Sequence, residues 1–276
     1  MPGSAVALVL GAALIHATWN LLLKGAEDGA LAITMAAVGG AVIAFPLSLA
    51  FGTVPVRALP YLGVSIGLQA GYYTALAAAY RRTDISTAYP IARGLGPLLA
   101  ALGGALFLDD AISATGWVGV GVVVSGIGLI ALSNRRIQGM ALAILTGLFI
   151  GAYTVVDTAG VRVAGSGFIY TATLYAGLSV VMIPLLYARR GAAGIRQMVS
   201  REGAGLMVLG VLGVIAYSMV LAAARIAPIG LVAPSREIAI VFGVIGGRLF
   251  FSELVGWRRG IGAVVTVTGV AILLTR

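Results

Sequence analysis

The chain has 276 residues, 60% of them hydrophobic and only 10% charged, against about a quarter charged in an ordinary soluble domain. Its net charge of +9 comes from Lys and Arg set singly or in pairs between long apolar runs, the placement of membrane anchors rather than of a nucleic-acid-binding face. The absence of Cys and the single His exclude disulfides and thiolate metal sites and argue against zinc, so neither cofactor nor metal is expected.

Apolar runs long enough to cross a hydrocarbon core of about 30 Å at 1.5 Å per residue occupy 4–23, 30–52, 58–81, 84–108, 112–133, 138–158, 166–188, 202–226, 228–252 and 255–274. They lack the strict alternation of a membrane barrel and exceed strand length. The expected fold is therefore an all-α integral membrane protein of ten transmembrane helices. No basic segment precedes the first run, and its first cation, Lys24, follows it; the run reads as a retained helix, not a secretory signal.

Ionisable groups inside a span are costly and are usually turned away from lipid, often onto a pathway. In the first helix His16, Trp19 and Asn20 fall on one side. His16 is suited either to carry a coupling proton or to bond a neighbouring helix. In the third, Gln69 and Tyr73 share a stripe with Leu76 and Tyr80, while Gly63, Gly67 and Gly71 recur every four residues, a spacing for close helix approach or for a hinge. The fourth contains "YPIARGLGP", in which Pro90, Arg93 and Pro97 share a face with Tyr89 one turn before the arginine. Pro90 and Pro97 each remove a backbone donor, so a break in the helix is expected there. The glycines of the fifth helix (Gly119, Gly121, Gly126, Gly128) suit either packing within the bundle or contact between two copies, which leaves a homodimer open. Tyr153 and Asp157 share a face of the sixth helix, Asp157 near its expected end. In the ninth, Pro234 and Glu237 repeat the spacing of Pro90 and Arg93, with Pro234 a third expected break and Arg236 pointing about 100° away from Glu237 on an ideal helix.

Two roles are open to Arg93. Its planar guanidinium suits an anionic group of a substrate, with Tyr89, Gln69, Tyr73, Trp19, Asn20, Tyr153, Arg236 and Glu237 as companions and His16 and Asp157 as proton carriers. Alternatively it pairs with Glu237 and clasps the halves of the molecule together.

Those halves are related. The segment from Tyr73 aligns without gaps on that from Tyr217, matching Pro90 with Pro234, Gly103 with Gly247, Phe107 with Phe251 and Asp109 with Glu253; after one deletion Gly119 meets Gly262 and Gly126 meets Gly269. This divides the chain into five-helix repeats at 1–136 and 137–276. Because five is odd, the second repeat enters the membrane inverted, an architecture whose binding site lies where the copies meet. The loops after odd-numbered helices carry eleven cations (Lys24, Arg81, Arg82, Arg135, Arg136, Arg189, Arg190, Arg196, Arg201, Arg258, Arg259) against four in the even loops and at the C-terminus (Arg57, Arg162, Arg225, Arg276). That bias puts the odd loops in the cytoplasm and both termini outside.

The opening "HATWNLLLK", the "GAYTVVD" of the sixth helix, the proline-bearing fourth and ninth helices and their "FLDD" and "FFSE" ends resemble the drug/metabolite transporter superfamily, specifically its EamA-type members. The resemblance covers essentially the full length. It implies a cavity among the first, third, fourth, sixth, eighth and ninth helices, peripheral fifth and tenth helices, alternating access, and export of metabolites, often by proton exchange. The small four-helix relatives carry a glutamate in the first helix, where this chain has His16 and Asn20, which departs from their mechanism.

The expected function is secondary transport of a small polar metabolite, an amino acid, organic acid or similar anionic or zwitterionic compound, across a bacterial inner membrane. No Walker motif supplies nucleotide energy. Two alternatives stand beside it. A membrane enzyme would need a catalytic constellation that no HExxH, Cys or GxSxG provides here. A structural or partner-binding protein would leave no open space among the polar residues.

Overall fold

The structure, a computed structural model, describes residues 1–23, 29–80, 85–131, 140–251 and 256–275. Lys24, Arg81, Arg82, Arg135, Arg136, Glu253 and Arg276 lie outside the described residues, as do the side chains of Asn20, Tyr80, Tyr89, Pro90, Gly247 and Phe251. Among the described residues there are ten α-helices and no strand: α1 (Gly3–Leu23), α2 (Gly29–Leu49), α3 (Leu59–Tyr80), α4 (Ile85–Phe107), α5 (Ala114–Ala131), α6 (Met140–Ala164), α7 (Gly167–Ile226), α8 (Ile229–Ser235), α9 (Ile238–Phe251) and α10 (Trp257–Leu274). Among the described residues six stretches are long and apolar enough to cross a membrane: Ala32–Leu49, Met140–Ala164, Gly167–Gln197, Val199–Ile226, Ile229–Gly246 and Trp257–Leu274. Shorter apolar helices occupy Gly3–Trp19, Ile91–Phe107 and Ala114–Ile130. The chain is thus a multi-pass, all-helical membrane protein.

The two helices expected at 166–188 and 202–226 are both present, as the arms of α7 on either side of a kink at Gly191, whose φ of 65° and ψ of 174° only glycine adopts readily. Two elements differ from expectation in extent. The sixth helix continues beyond 158 to Ala164, so Asp157 lies inside it rather than near its end. The ninth is not one helix: α8 stops at Ser235 and α9 starts at Ile238. Around this break the amides of Glu237, Ala239 and Ile240 reach back three residues, to the carbonyls of Pro234, Arg236 and Glu237, a tighter pitch than the α-helix. Pro234 stands in the last turn of α8, at the expected interruption. Neither Pro90 nor Pro97 interrupts α4, which runs from Ile85 through both to Phe107; neighbouring helices in a membrane bundle can accommodate the bond a proline removes.

Small residues set the helix pairs. Gly40 of α2 and Gly210 of α7 meet so closely that a Cβ on either would strike the other's backbone. α5 and α10 cross where Gly119 meets Leu273 and the backbone of Gly269, and where Gly126 meets Gly262 and Thr266. Gly119 and Gly126 are therefore spent inside the bundle, while Gly121 and Gly128 face open space. Gly63 and Gly67 face open space and only Gly71 is covered, by Phe149, so the four-residue stripe of α3 is not a continuous packing face.

At the end of the bundle where Met1 packs beside Leu274 and Ile112, an alanine-rich core fills the interior. Ala5, Val9, Ala12, Ala100, Val220, Ala223, Ala224, Ala227, Ile229 and Val232 are all buried there. Towards the other end that core gives way to a cavity.

Candidate functional site

The cavity has a volume of about 130 Å³, room for several water molecules or a small solute. α1 contributes Ala12, His16 and Trp19; α3 contributes Gln69, Tyr72, Tyr73 and Leu76; Arg93 comes from α4, Tyr153 from α6, Tyr175 and Tyr217 from the two arms of α7, and Arg236 from the break before α9. α2 adds Ile33, Ala36 and Ala37, a wall that the resemblance did not imply, while α5 and α10 add none. Of the residues singled out from sequence, His16, Trp19, Gln69, Tyr73, Arg93, Tyr153 and Arg236 line this one space. Glu237 and Asp157 are fully buried behind its wall.

The break between α8 and α9 aims consecutive side chains at the centre. Arg93 Nε donates to Glu237 Oε2 at 2.8 Å, and Arg93 Nη1 lies 3.3 Å from His16 Nε2. A guanidinium nitrogen only donates, so His16 Nε2 accepts and the imidazole proton resides on Nδ1. The ring also stacks on Trp19, with centroids 5.7 Å apart and planes 10° from parallel. Arg236 Nε stands 3.9 Å from Glu237 Oε1, an ion-pair distance too long for a hydrogen bond. Neither of these two atoms has a hydrogen-bond partner among the described residues. On an ideal helix Arg236 would point away from Glu237; the break brings both to one site. Two guanidinium groups, 6% and 7% exposed, thus share a single carboxylate.

Asp157 is held differently. Tyr170 donates to its Oδ1 at 3.0 Å, Gln69 to its Oδ2 at 3.1 Å, and Tyr217 to the same Oδ2 at 2.5 Å. Gln69 Nε2 also lies 3.3 Å from Ser65 Oγ. The nest joins α3, α6 and both arms of α7, and reaches the cavity through Gln69 and Tyr217. Around it Tyr72 touches Tyr73 and Tyr153, and Tyr153 meets Tyr217 edge-on.

Sequence reasoning missed Tyr170, Tyr175 and Tyr217. Tyr217 had a signal: it is the residue aligned with Tyr73, and both line the cavity. Tyr170 and Tyr175 had none, because a tyrosine on a membrane helix reads equally as an interfacial anchor.

Residues 137–275, half of the chain, match the EamA-like transporter family. The chain belongs to that family. A shorter stretch of this transporter, residues 31–124, matches the Small Multidrug Resistance protein family, so both matches point to a membrane transporter of the drug/metabolite type. A solved structure described as "Crystal structure of protein" shares the transporter's fold, with a TM-score of 0.76 at 18% identity over 100% of this chain and 98% of that one. No curated protein matches the sequence.

Proposed function

We propose that the transporter moves a small anionic or zwitterionic metabolite through the central cavity by alternating access, with exchange of a proton at His16. The observation that carries the reading is the charge of the wall: Arg93 and Arg236 both face the cavity, and among the described residues the carboxylate paired with them is that of Glu237. A net positive, largely buried wall favours an anion, and a guanidinium suits a carboxylate or phosphonate in geometry as well as charge. Open space among the polar residues speaks against a purely structural protein.

In this reading the chain is a pair of inverted five-helix repeats, 1–136 and 137–276, with ten membrane-crossing segments. Three contacts support it. The sequence alignment equates Gly119 with Gly262 and Gly126 with Gly269, and in the fold Gly119 meets Gly269 while Gly126 meets Gly262, the exchange that a local two-fold axis produces. The same alignment equates Arg93 with Glu237, and these two bond each other, as residues on such an axis do. The match of residues 137–275 also begins where the second repeat begins.

The His16 contact supports the proton-coupled reading. Nε2 accepts from Arg93; protonating it places two donors face to face and releases the arginine, linking proton arrival to the charge that holds substrate. The cation bias of the loops puts both termini outside a bacterial inner membrane, so the cavity extends towards the cytoplasm.

The test is thermal stability of the purified transporter against amino acids, carboxylates, phosphonates and neutral or cationic analogues of the same size. Stabilisation is expected from anionic and zwitterionic compounds. Stabilisation by cationic analogues alone would overturn the reading.

A further inference from the structure

The cavity is sealed at the end where Met1 packs beside Leu274. Immediately beyond the alanine-rich core lies a polar cluster that the central site does not use. Arg162, near the end of α6, pairs with Asp110, in the segment between α4 and α5, with Nη2 to Oδ1 at 2.8 Å. The same Asp110 accepts the backbone amide of Ile229, the first residue of α8, at 2.6 Å on Oδ2. Arg162 in turn donates from Nε to the carbonyl of Ala224 at 3.0 Å and from Nη2 to that of Ala227 at 3.5 Å, so it closes the final turn of α7. Each charge satisfies a helix end: an anion at the start of α8 and a cation at the end of α7, the pairings that helix termini favour.

We infer that Asp110 and Arg162 form the latch of a gate, holding α8 and the end of α7 against α4 and α6, and that releasing it opens the cavity to the Met1–Leu274 end. Three features make this more than a surface ion pair. The Asp110 side chain is 7% exposed, so its bonds are shielded and worth more than those of a solvated pair. The partners belong to four separate segments of the chain. The core beneath them is made largely of alanines, with Ile229 seated against Gly104 of α4, and such small side chains part with little loss of apolar burial per residue. The inference rests on the alternating-access reading above, which requires this end to open; the latch specifies which bonds must break.

The absence of Cys makes the test direct. Ala216→Cys places one thiol on the cavity wall, and in a separate protein Val123→Cys places one in the buried α5–α10 contact as a control for unfolding. Both are treated with a membrane-impermeant maleimide offered from one side of oriented vesicles. With the latch intact, Ala216→Cys should react only from the end opposite Met1. Adding Asp110→Asn, nearly isosteric but uncharged, should raise its reaction from the Met1 end by about tenfold or more, the order expected for loss of a charge-assisted pair, while Val123→Cys stays unreactive. Unchanged one-sided reaction in the Asp110→Asn protein would overturn the latch. If Asp110→Asn exposes Val123→Cys, the fold has loosened, and Arg162→Lys decides instead: it keeps the charge but loses the fork that spans the aspartate and two carbonyls, so a rise supports the latch and its absence refutes it. Failure of Ala216→Cys to react from either side in the parent would refute the cavity itself, and with it the latch.

Discussion

Glu237 and Asp157 are both fully buried carboxylates within one bundle, and they are stabilised by opposite means. Glu237 is surrounded by charge: one oxygen takes a guanidinium bond and the other has only a distant ion-pair neighbour. Asp157 is surrounded by neutral donors, two tyrosine hydroxyls and an amide, with both oxygens bonded. A buried carboxylate saturated with fixed hydrogen bonds behaves as part of the frame, because any motion must break several bonds at once. One held by a single strong contact beside an unbonded guanidinium nitrogen is open to exchange. The difference separates a hub that positions α3, α6 and α7 from a cluster with fewer bonds to break, the one that the proposed anion would engage.

The largest effect is expected where charge compensates charge. Arg93→Ala leaves Glu237 in a low-dielectric region with Arg236 as its remaining ion-pair neighbour among the described residues, and should destabilise the fold by about 3–5 kcal/mol. Adding Glu237→Ala removes the stranded carboxylate and should recover much of that loss, since contacting residues are not additive. Thermal unfolding of all four proteins of the cycle measures this. Equal losses in single and double variants would mean that Arg93 and Glu237 contribute independently, and that the two buried carboxylates differ less than their contacts suggest.

Asp157 sharpens the comparison from the other side. Asp157→Ala orphans the hydroxyls of Tyr170 and Tyr217 and the Gln69 amide, at about 1–3 kcal/mol for each group that finds no new partner. Asp157→Asn retains one acceptor oxygen and should cost noticeably less. In neither case should Glu237→Ala rescue the loss, because the two sites share no hydrogen bond. Rescue would show that charge, not hydrogen bonding, dominates at Asp157 as well.

Much of this was legible in the sequence, for identifiable reasons. Helix spans followed from apolar run length, and seven of the named residues line one cavity because an ionisable or amide side chain in a membrane helix has few places to go except inward. Pro234 marked a real break, and it was the break, not periodicity, that turned Arg236 onto the cavity. Pro97 carried the same residue-level signal without the same outcome, since tertiary packing decides whether a helix tolerates a missing donor. The Arg93–Glu237 bond was legible as one of the two roles open to the arginine, and the alignment of the segment from Tyr73 on that from Tyr217 sets these two residues in register. The Asp157 nest was not legible, because Tyr170 comes from a helix whose face cannot be read from a uniformly apolar sequence. Asp110 and Arg162 sit at helix ends, where charges ordinarily mean solvent or headgroups.

Arg236 should separate binding from stability. Its Nε lacks a hydrogen-bond partner among the described residues, so Arg236→Gln removes little from the fold, about 1 kcal/mol or less. It also removes half of the guanidinium charge at the wall. The stabilisation given by an anionic compound active in the thermal screen should therefore fall by at least tenfold in apparent affinity. If affinity is unchanged while Arg93→Ala, paired with Glu237→Ala to preserve the fold, abolishes it, the anion belongs to Arg93.

The smallest effect on stability, and the most specific on function, belongs to His16. Gln can keep an acceptor near Arg93 through its amide oxygen, so His16→Gln should leave thermal unfolding within about 0.5 kcal/mol of the parent. What Gln cannot do is gain and release a proton as an imidazole can. In proteoliposomes loaded with the compound found by the thermal screen, parent protein should accelerate its movement when a pH gradient is imposed. The His16→Gln protein should move it down its own gradient at a rate indifferent to pH. Retained pH-driven movement would break the assignment of the proton to the cluster with the mobile charges and shift it to Asp157, whose Oδ1 accepts one hydrogen bond and keeps a lone pair for a proton. In that event the rigid hub, and not the exchangeable cluster, would drive the transport cycle.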